Sequence, residues 1–152
     1  MFFNCIFFSV SLSAQYSLGL DKKHILRDSR KAERRDSAET HTPVETDSSL
    51  LVQCSGRYQF ETEYYFGSDG VCNREVDRYY SCGGYLDPLQ AVLKYDEYKW
   101  KIGNDGTFYS RFDKHICFTV ANNPDGNPCM TISYSTINLT FAEYSKKFVK
   151  KK

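Results

Sequence analysis

Several signatures of membrane proteins and enzymes are missing from this chain of 152 residues. No apolar stretch reaches the roughly 20 residues that a membrane-spanning helix needs, which excludes a multi-pass membrane protein. The sequence has no G-x-S-x-G, H-E-x-x-H or phosphate-binding loop. It also has no C-x-x-C pair, and its cysteine spacings do not fit a zinc site. We therefore expect a protein that is not an enzyme and holds no metal or cofactor.

Charge is unevenly distributed along the chain, although the net charge is only +1. Residues 21–35 carry seven Lys and Arg against three acids, whereas residues 36–50 carry four acids and no base. The central residues 51–145 are weakly acidic, which is not typical of a nucleic-acid-binding domain. The basic tail at 146–152 is a candidate contact for an anionic glycan or lipid surface, and the alternative is a solvating end.

The first 14 residues, MFFNCIFFSVSLSA, are short, apolar and rich in Phe, and they end in small residues. This layout predicts a secretory signal peptide that is cleaved near Ser13 or Ala14. The alternative is a buried element of the fold. A signal peptide places the protein outside the cell and removes Cys5 from the mature chain.

Residues 15–50 form the predicted leader. Between 20 and 49 the chain has no aromatic residue, no Gly and few large apolar residues. Such a segment buries too little surface to offset its ordering entropy, so we expect it to be disordered. Arg34 and Arg35 end a basic cluster that could be a processing site, because proteases cleave exposed, extended chain. The alternative is a solvated charge run, helical across 22–35.

The folded body is predicted to span residues 51–145, where 18 aromatic residues lie. Residues 58–66 alternate between apolar and polar side chains, which indicates a half-buried strand. The Gly-Asn-Asp-Gly turn at 103–106 lies between two β-prone runs and predicts a hairpin. Residues 89–95 alternate as in a strand, although their helix formers leave a helix open. The pattern as a whole predicts an all-β antiparallel meander that forms a small sandwich or barrel.

The body has more Tyr and Trp than one small core needs. Exposed Tyr is a good contact residue because it is rigid and amphipathic, so Tyr65, Tyr80 and Trp100 are candidate binding residues. The alternative is that these rings pack in the core. For Trp100, the only Trp in the sequence, we favour the core, because alternation places it with Tyr98 and Ile102 on one apolar face.

In a secreted chain, disulfide bonds are the expected state of cysteine. Cys72 and Cys82 are close in sequence, and so are Cys117 and Cys129, so we expect these four to form disulfides. Cys54 is then left over, either unpaired or joined to a second chain. The only N-x-S/T sequon predicts a glycan at Asn138.

Three short segments suggest a family resemblance. They are Phe60-Glu-Thr-Glu-Tyr64 ahead of Cys72, Tyr79-Tyr-Ser-Cys82, and Met130-Thr-Ile-Ser-Tyr-Ser135. In this order the chain resembles invertebrate secreted proteins built from tandem disulfide-bonded β domains of unknown function. It departs from their pattern in having no Cys at 96–99 or at 136–138. The resemblance brings no catalytic residues to this chain.

These features together predict a secreted, non-catalytic interaction module that binds an extracellular protein or glycan. The alternative is a small-ligand carrier with a lipocalin-like aromatic cavity.

Overall fold

The computed structural model describes residues 17–35, 40–56, 59–81, 88–94, 98–113, 115–123 and 125–149. This part of the chain contains eight strands and three helices, and four strands follow each of the first two helices. The strands are β1 (Thr40–Glu45), β2 (Ser49–Ser55), β3 (Phe60–Phe66), β4 (Cys72–Tyr79), β5 (Lys101–Ile102), β6 (Phe108–Tyr109), β7 (Ile116–Asn122) and β8 (Met130–Thr136). The helices are α1 (Lys22–Arg35), α2 (Pro88–Lys94) and α3 (Phe141–Lys146). None of the helices in the described ranges is long and apolar enough to cross a membrane.

The all-β prediction is confirmed. The eight strands form one antiparallel sheet in the order β1-β2-β3-β4-β8-β7-β6-β5. Two four-stranded meanders, one from each half of the chain, therefore meet where β4 pairs with β8. The predicted hairpin is β5–β6, which the turn at 103–106 connects, with Gly106 at φ +78°. A positive φ is a conformation that Gly adopts without steric cost.

Strand β3 shows why the sheet has one buried and one open face. Phe60, Thr62 and Tyr64 are buried, whereas Glu61 and Glu63 between them are partly exposed. This is the alternation that the sequence predicted, because successive side chains of a strand point to opposite faces. We call the side that carries Phe60 the inner face and the side that carries Glu61 the outer face.

The core lies on the inner face. Leu50, Phe118, Ile132 and Tyr134 have no exposed surface there. The Phe118 ring stacks on Phe108 at 4.5 Å between centroids and lies 5.5 Å from the Tyr134 ring. Burying such a side chain stabilises a fold by about 1.5–3 kcal/mol, so these aromatic contacts contribute strongly to the core.

The predicted disorder of residues 15–50 is wrong for the described part of that segment. Residues 22–35 form α1, and residues 40–45 form β1, the strand that pairs with β2 along its length. The Asp21 carboxylate accepts a hydrogen bond of 2.8 Å from the His24 N–H and so caps the first turn of α1. Ile25 is only 3% exposed and packs into the core. One buried Ile and an edge strand bind this polar segment to the body, and composition alone does not show either contact.

Residues 88–94 are helical, so the strand that the sequence favoured here is wrong. Pro88 occupies the start of α2, where its missing N–H leaves no helical bond unmade. Val92 is 3% exposed and packs into the core cluster. Leu89 also packs against this cluster, so the short helix is docked by its apolar side chains.

The described part of the basic tail, residues 146–149, belongs to the fold, and contact of the tail with an anionic surface stays a prediction. The side chain of Thr140 and the side chain of Glu143 form a capping box that begins α3. After α3, Lys147 pairs with Asp105 at 2.9 Å, and the Phe148 ring lies 5.9 Å from Tyr109. The last residues, 150–152, lie outside the described ranges. The C-terminal segment thus covers the outer face beside the β5–β6 hairpin.

Candidate functional site

The outer face carries a connected patch of charged and aromatic side chains on β3 and β4. Arg78 donates to Glu61 at 3.3 Å and to Glu63 at 2.9 Å. The guanidinium of Arg74 lies over the Tyr65 ring at 5.1 Å from its centroid. We call the following six residues the outer-face patch: Glu61, Glu63, Tyr65, Arg74, Arg78 and Tyr80. Arg74, Arg78 and the two glutamates had no role in the sequence analysis, although their alternation on β3 and β4 could have placed them here.

Hydrogen bonds hold the tyrosines of this patch in place. Partial burial raises the pKa of Tyr65, and its hydrogen bond to Glu63 raises it further. Partial burial and a hydrogen bond to Glu61 raise the pKa of Tyr80 in the same way. For Glu63, burial acts to raise the pKa, but the hydrogen bonds from Tyr65 and Arg78 outweigh it and lower the pKa overall. The patch is therefore joined by hydrogen bonds, and the lowered pKa of Glu63 keeps that carboxylate ionised at neutral pH.

Trp100 lies elsewhere, packed against the core. Its ring contacts Phe118 edge to face at 4.7 Å and stacks on Tyr98 at 5.4 Å. The structure thus places two of the three predicted binding residues together on the outer face and the third on the opposite side. The predicted alternation fails at Ile102, which is 57% exposed. Lys99 has a φ of +52° and breaks the extended backbone between Tyr98 and Trp100, and β5 begins only at Lys101.

Two carboxyl groups are buried on the inner face, and the sequence analysis gave them no role. Asp77 accepts a hydrogen bond of 2.7 Å from the Thr62 hydroxyl, and burial raises its pKa to about 7. Burial raises the pKa of Glu75 well above its usual range, and Asp77 adds to the rise, whereas the nearby Ser17 hydroxyl lowers it in part. No described residue gives either Glu75 oxygen a hydrogen bond of normal geometry. These groups are therefore neutral carboxylic acids over much of the acidic and neutral pH range.

The cysteines differ from the predicted set. Cys72 and Cys117 are buried free thiols, so the disulfides expected at these two residues are wrong. Cys54, expected to be unpaired or intermolecular, is a thiol with 5% exposure and packs in the core. Cys129 is disulfide-bonded, but not to Cys117, its neighbour in sequence, which is a free thiol. Cys82 lies outside the described residues. Closeness in sequence was a poor guide, because Cys117 lies at one end of the β7–β8 pair, opposite Ser135, whereas Cys129 lies at the other end, next to Met130.

The predicted modification sites are both on the surface. Asn138 is exposed in the connection between β8 and α3, and its sequon residue Thr140 is the N-cap of α3. Arg34 and Arg35 are exposed in the last turn of α1. A helical turn is not the extended chain that a processing protease binds, so cleavage there requires α1 to unwind first. Glycosylation and processing both stay predictions.

Within the described ranges, no group of three or more His, Cys, Asp and Glu is arranged to hold a metal ion. Comparison of the chain with protein-family models, with curated proteins and with solved structures finds no match.

Proposed function

We propose that the protein is a secreted, non-catalytic interaction module that binds an extracellular protein or glycan through its outer-face patch. The single observation that carries this proposal is the network in which Arg78 joins Glu61 and Glu63 beside two tyrosines. Tyr and Arg are the residues that most often dominate binding energy. Because hydrogen bonds within the protein already hold these side chains, they would lose little conformational entropy when a partner binds.

Two further observations support parts of the proposal. The disulfide bond of Cys129 fits an oxidising compartment such as the secretory pathway. The free thiol of Cys117, two residues after His115, does not have the surroundings of a catalytic nucleophile. Burial raises the pKa of the Cys117 thiol, and the His115 ring lies 3.3 Å from the carbonyl oxygen of Ile137. A raised pKa keeps the thiol protonated and inert at neutral pH.

The test combines secretion with binding. The full chain is expressed in a eukaryotic secretory cell, and the protein in the medium is expected to begin within a few residues of Ala14. The purified protein is then applied to a glycan array and to immobilised extracellular-matrix proteins. We expect saturable binding, and we expect the double variant Tyr65→Ala/Tyr80→Ala to bind at least about tenfold more weakly.

The matched control is Thr119→Ala/Ser133→Ala, a cross-strand pair on the same outer face. It should bind like the parent chain, and both variants should keep the parent's melting temperature within a few degrees. Retention of the chain inside the cell, or equal binding by both double variants, would contradict the proposal.

A further inference from the structure

Helix α1 presents a basic groove on the side of the molecule where β1 forms the edge of the sheet. A surface pocket of about 790 Å³ lies there, and it is lined by residues of α1 and by Glu45 at the end of β1. Six of the lining residues are Lys or Arg, namely Lys22, Lys23, Arg27, Arg30, Lys31 and Arg34. Glu45 is the one acidic side chain in this lining. We call this set of nine lining residues, which also includes His24 and Leu26, the α1 groove.

The cations of the groove repeat with the period of the helix. Lys23, Arg27, Arg30 and Arg34 follow one another at spacings of four, three and four residues, which places them along one helix face. At 1.5 Å per residue they extend over about 17 Å. All four are exposed. The groove therefore offers a straight row of positive charge to a partner.

Several of these cations form no ion pair with any residue that the structure describes. Lys22 is engaged, because it pairs with Glu45 at 3.8 Å and donates to the Thr46 carbonyl at 3.0 Å. Asp28 pairs with Arg27 and Lys31 at 3.4 and 3.3 Å. Within the described ranges, however, Lys23, Arg30 and Arg34 take part in no ion pair. Their charges remain available to an external anion.

The chemistry of the groove decides between classes of anionic partner. An amphipathic helix that lies on a membrane also exposes large apolar side chains that enter the lipid. The apolar residues of α1 instead face the protein, since Ile25 is 3% exposed and Leu26 packs against the core. The exposed residues of α1 are His24 and a set of Lys and Arg. The groove has one apolar lining residue, Leu26, which is only partly exposed, so a row of exposed cations here fits a linear polyanion that stays in water.

We propose that the α1 groove is a binding site for a linear sulfated glycan. Sulfate groups spaced along such a chain match cations spaced along one helix face, and Arg binds them through paired N–H groups. This site is separate from the outer-face patch. The inference rests on the proposed function only in taking the protein to be extracellular, which is where sulfated glycans occur.

The experiment measures binding of a heparin-derived octasaccharide to the full chain by calorimetry at about 150 mM salt, close to physiological ionic strength. The groove variant is Lys23→Gln/Arg30→Gln/Arg34→Gln, which keeps good helix formers at all three positions. We expect its affinity to be at least about tenfold lower. The affinity of the parent chain should also fall steeply as salt is raised, because binding releases counterions.

The control variant Lys99→Gln/Lys101→Gln/Arg111→Gln removes the same amount of charge from exposed residues outside both the groove and the basic tail. It should bind within about twofold of the parent, because exposed charges more than a Debye length from the ligand are largely screened. Equal losses in the two triple variants would show that net charge alone drives binding and would overturn the proposal. So would the absence of binding by the parent chain.

Two other anionic ligands test whether the groove prefers a sulfated glycan. Vesicles of phosphatidylserine and phosphatidylcholine, and a short DNA duplex, should bind more weakly than the octasaccharide, and tighter binding of either one would overturn the assignment. The variant Tyr65→Ala/Tyr80→Ala should bind the octasaccharide like the parent. Loss of array binding in that variant with retained octasaccharide binding separates the outer-face patch from the groove, so that either proposal can fail alone.

Discussion

The cations of α1 and the carboxyl groups of Glu75 and Asp77 are both clusters of like charge, but only the first cluster faces water. Lys23, Arg30 and Arg34 are exposed and remain close together because solvent screens their repulsion. Glu75 and Asp77 are 0% and 2% exposed, and burial raises both pKa values. Charge that a partner can use is therefore kept where water reaches it, whereas buried acids take up protons and become neutral parts of the core.

The largest expected effect concerns Asp77 and pH. Its folded pKa of about 7 lies above its ordinary value of 3.8, so the folded state keeps the proton longer than the unfolded state. The contribution of Asp77 to the free energy of unfolding is most favourable below pH 4. It is lost as the pH rises towards 7, by about 4 kcal/mol in total. Urea unfolding of the parent and of Asp77→Asn should therefore give similar stabilities at pH 4. At pH 8 the variant should be the more stable, because the buried carboxylate is then ionised at a cost. A less stable variant at pH 8 would show that the fold favours the ionised carboxylate and that the pKa of Asp77 is not raised.

The next effect tests the inner face through Trp100. Replacing Trp100 by Ala removes its contacts with Phe118 and Tyr98 and should lower the free energy of unfolding by about 3 kcal/mol. This is the low end of the usual range, because Trp100 is only partly buried. Chemical denaturation gives the value. A loss below about 1 kcal/mol would show that Trp100 is not a packing residue and would make it a binding candidate again.

Within α1, substitutions of one buried and one exposed residue should differ in their effect on the free energy of unfolding. Ile25→Ala should destabilise the protein by about 2 kcal/mol, because it leaves a cavity where α1 meets the core. Arg30→Ala should change stability by less than about 0.5 kcal/mol. Denaturant unfolding of both variants tests whether this segment belongs to the fold. If Ile25→Ala were as neutral as Arg30→Ala, the segment would be the disordered leader that its composition indicates.

The smallest effect is expected at Lys147, a half-buried cation that has internal partners. Its ammonium pairs with Asp105 at 2.9 Å and lies 5.4 Å from the centroid of the Tyr109 ring. Lys147→Gln should cost less than about 1 kcal/mol in thermal unfolding, because a surface ion pair is weak. It should leave octasaccharide affinity unchanged. A clear drop in that affinity would make the C-terminal segment part of the anion site.

Features that depend on neighbouring residues could be predicted from the sequence, whereas features that depend on contacts between distant residues could not. The alternation in β3 and the turn at 103–106 are local, and both were predicted. The docking of Ile25 and the pairing of β1 with β2 depend on residues distant in sequence, and the polar composition of 20–49 hides them. For the candidate site, the content of Tyr pointed to Tyr65 and Tyr80. Alternation could place Arg74 and Arg78 on one face of β4, but their contacts with β3 depend on the register in which the two strands pair.

The central claim is that α1 is a fixed part of the fold that presents its cations to a sulfated glycan. Hydrogen exchange of the α1 amides in the full chain, without and with the heparin-derived octasaccharide, tests both parts of this claim. We predict that the backbone amides of residues 26–34 exchange well below the unfolded-chain rate without ligand, and more slowly still with it, while those of β4 do not change. Exchange of the α1 amides at the unfolded-chain rate, or slowing by the ligand only in the segment after α3, would contradict the account.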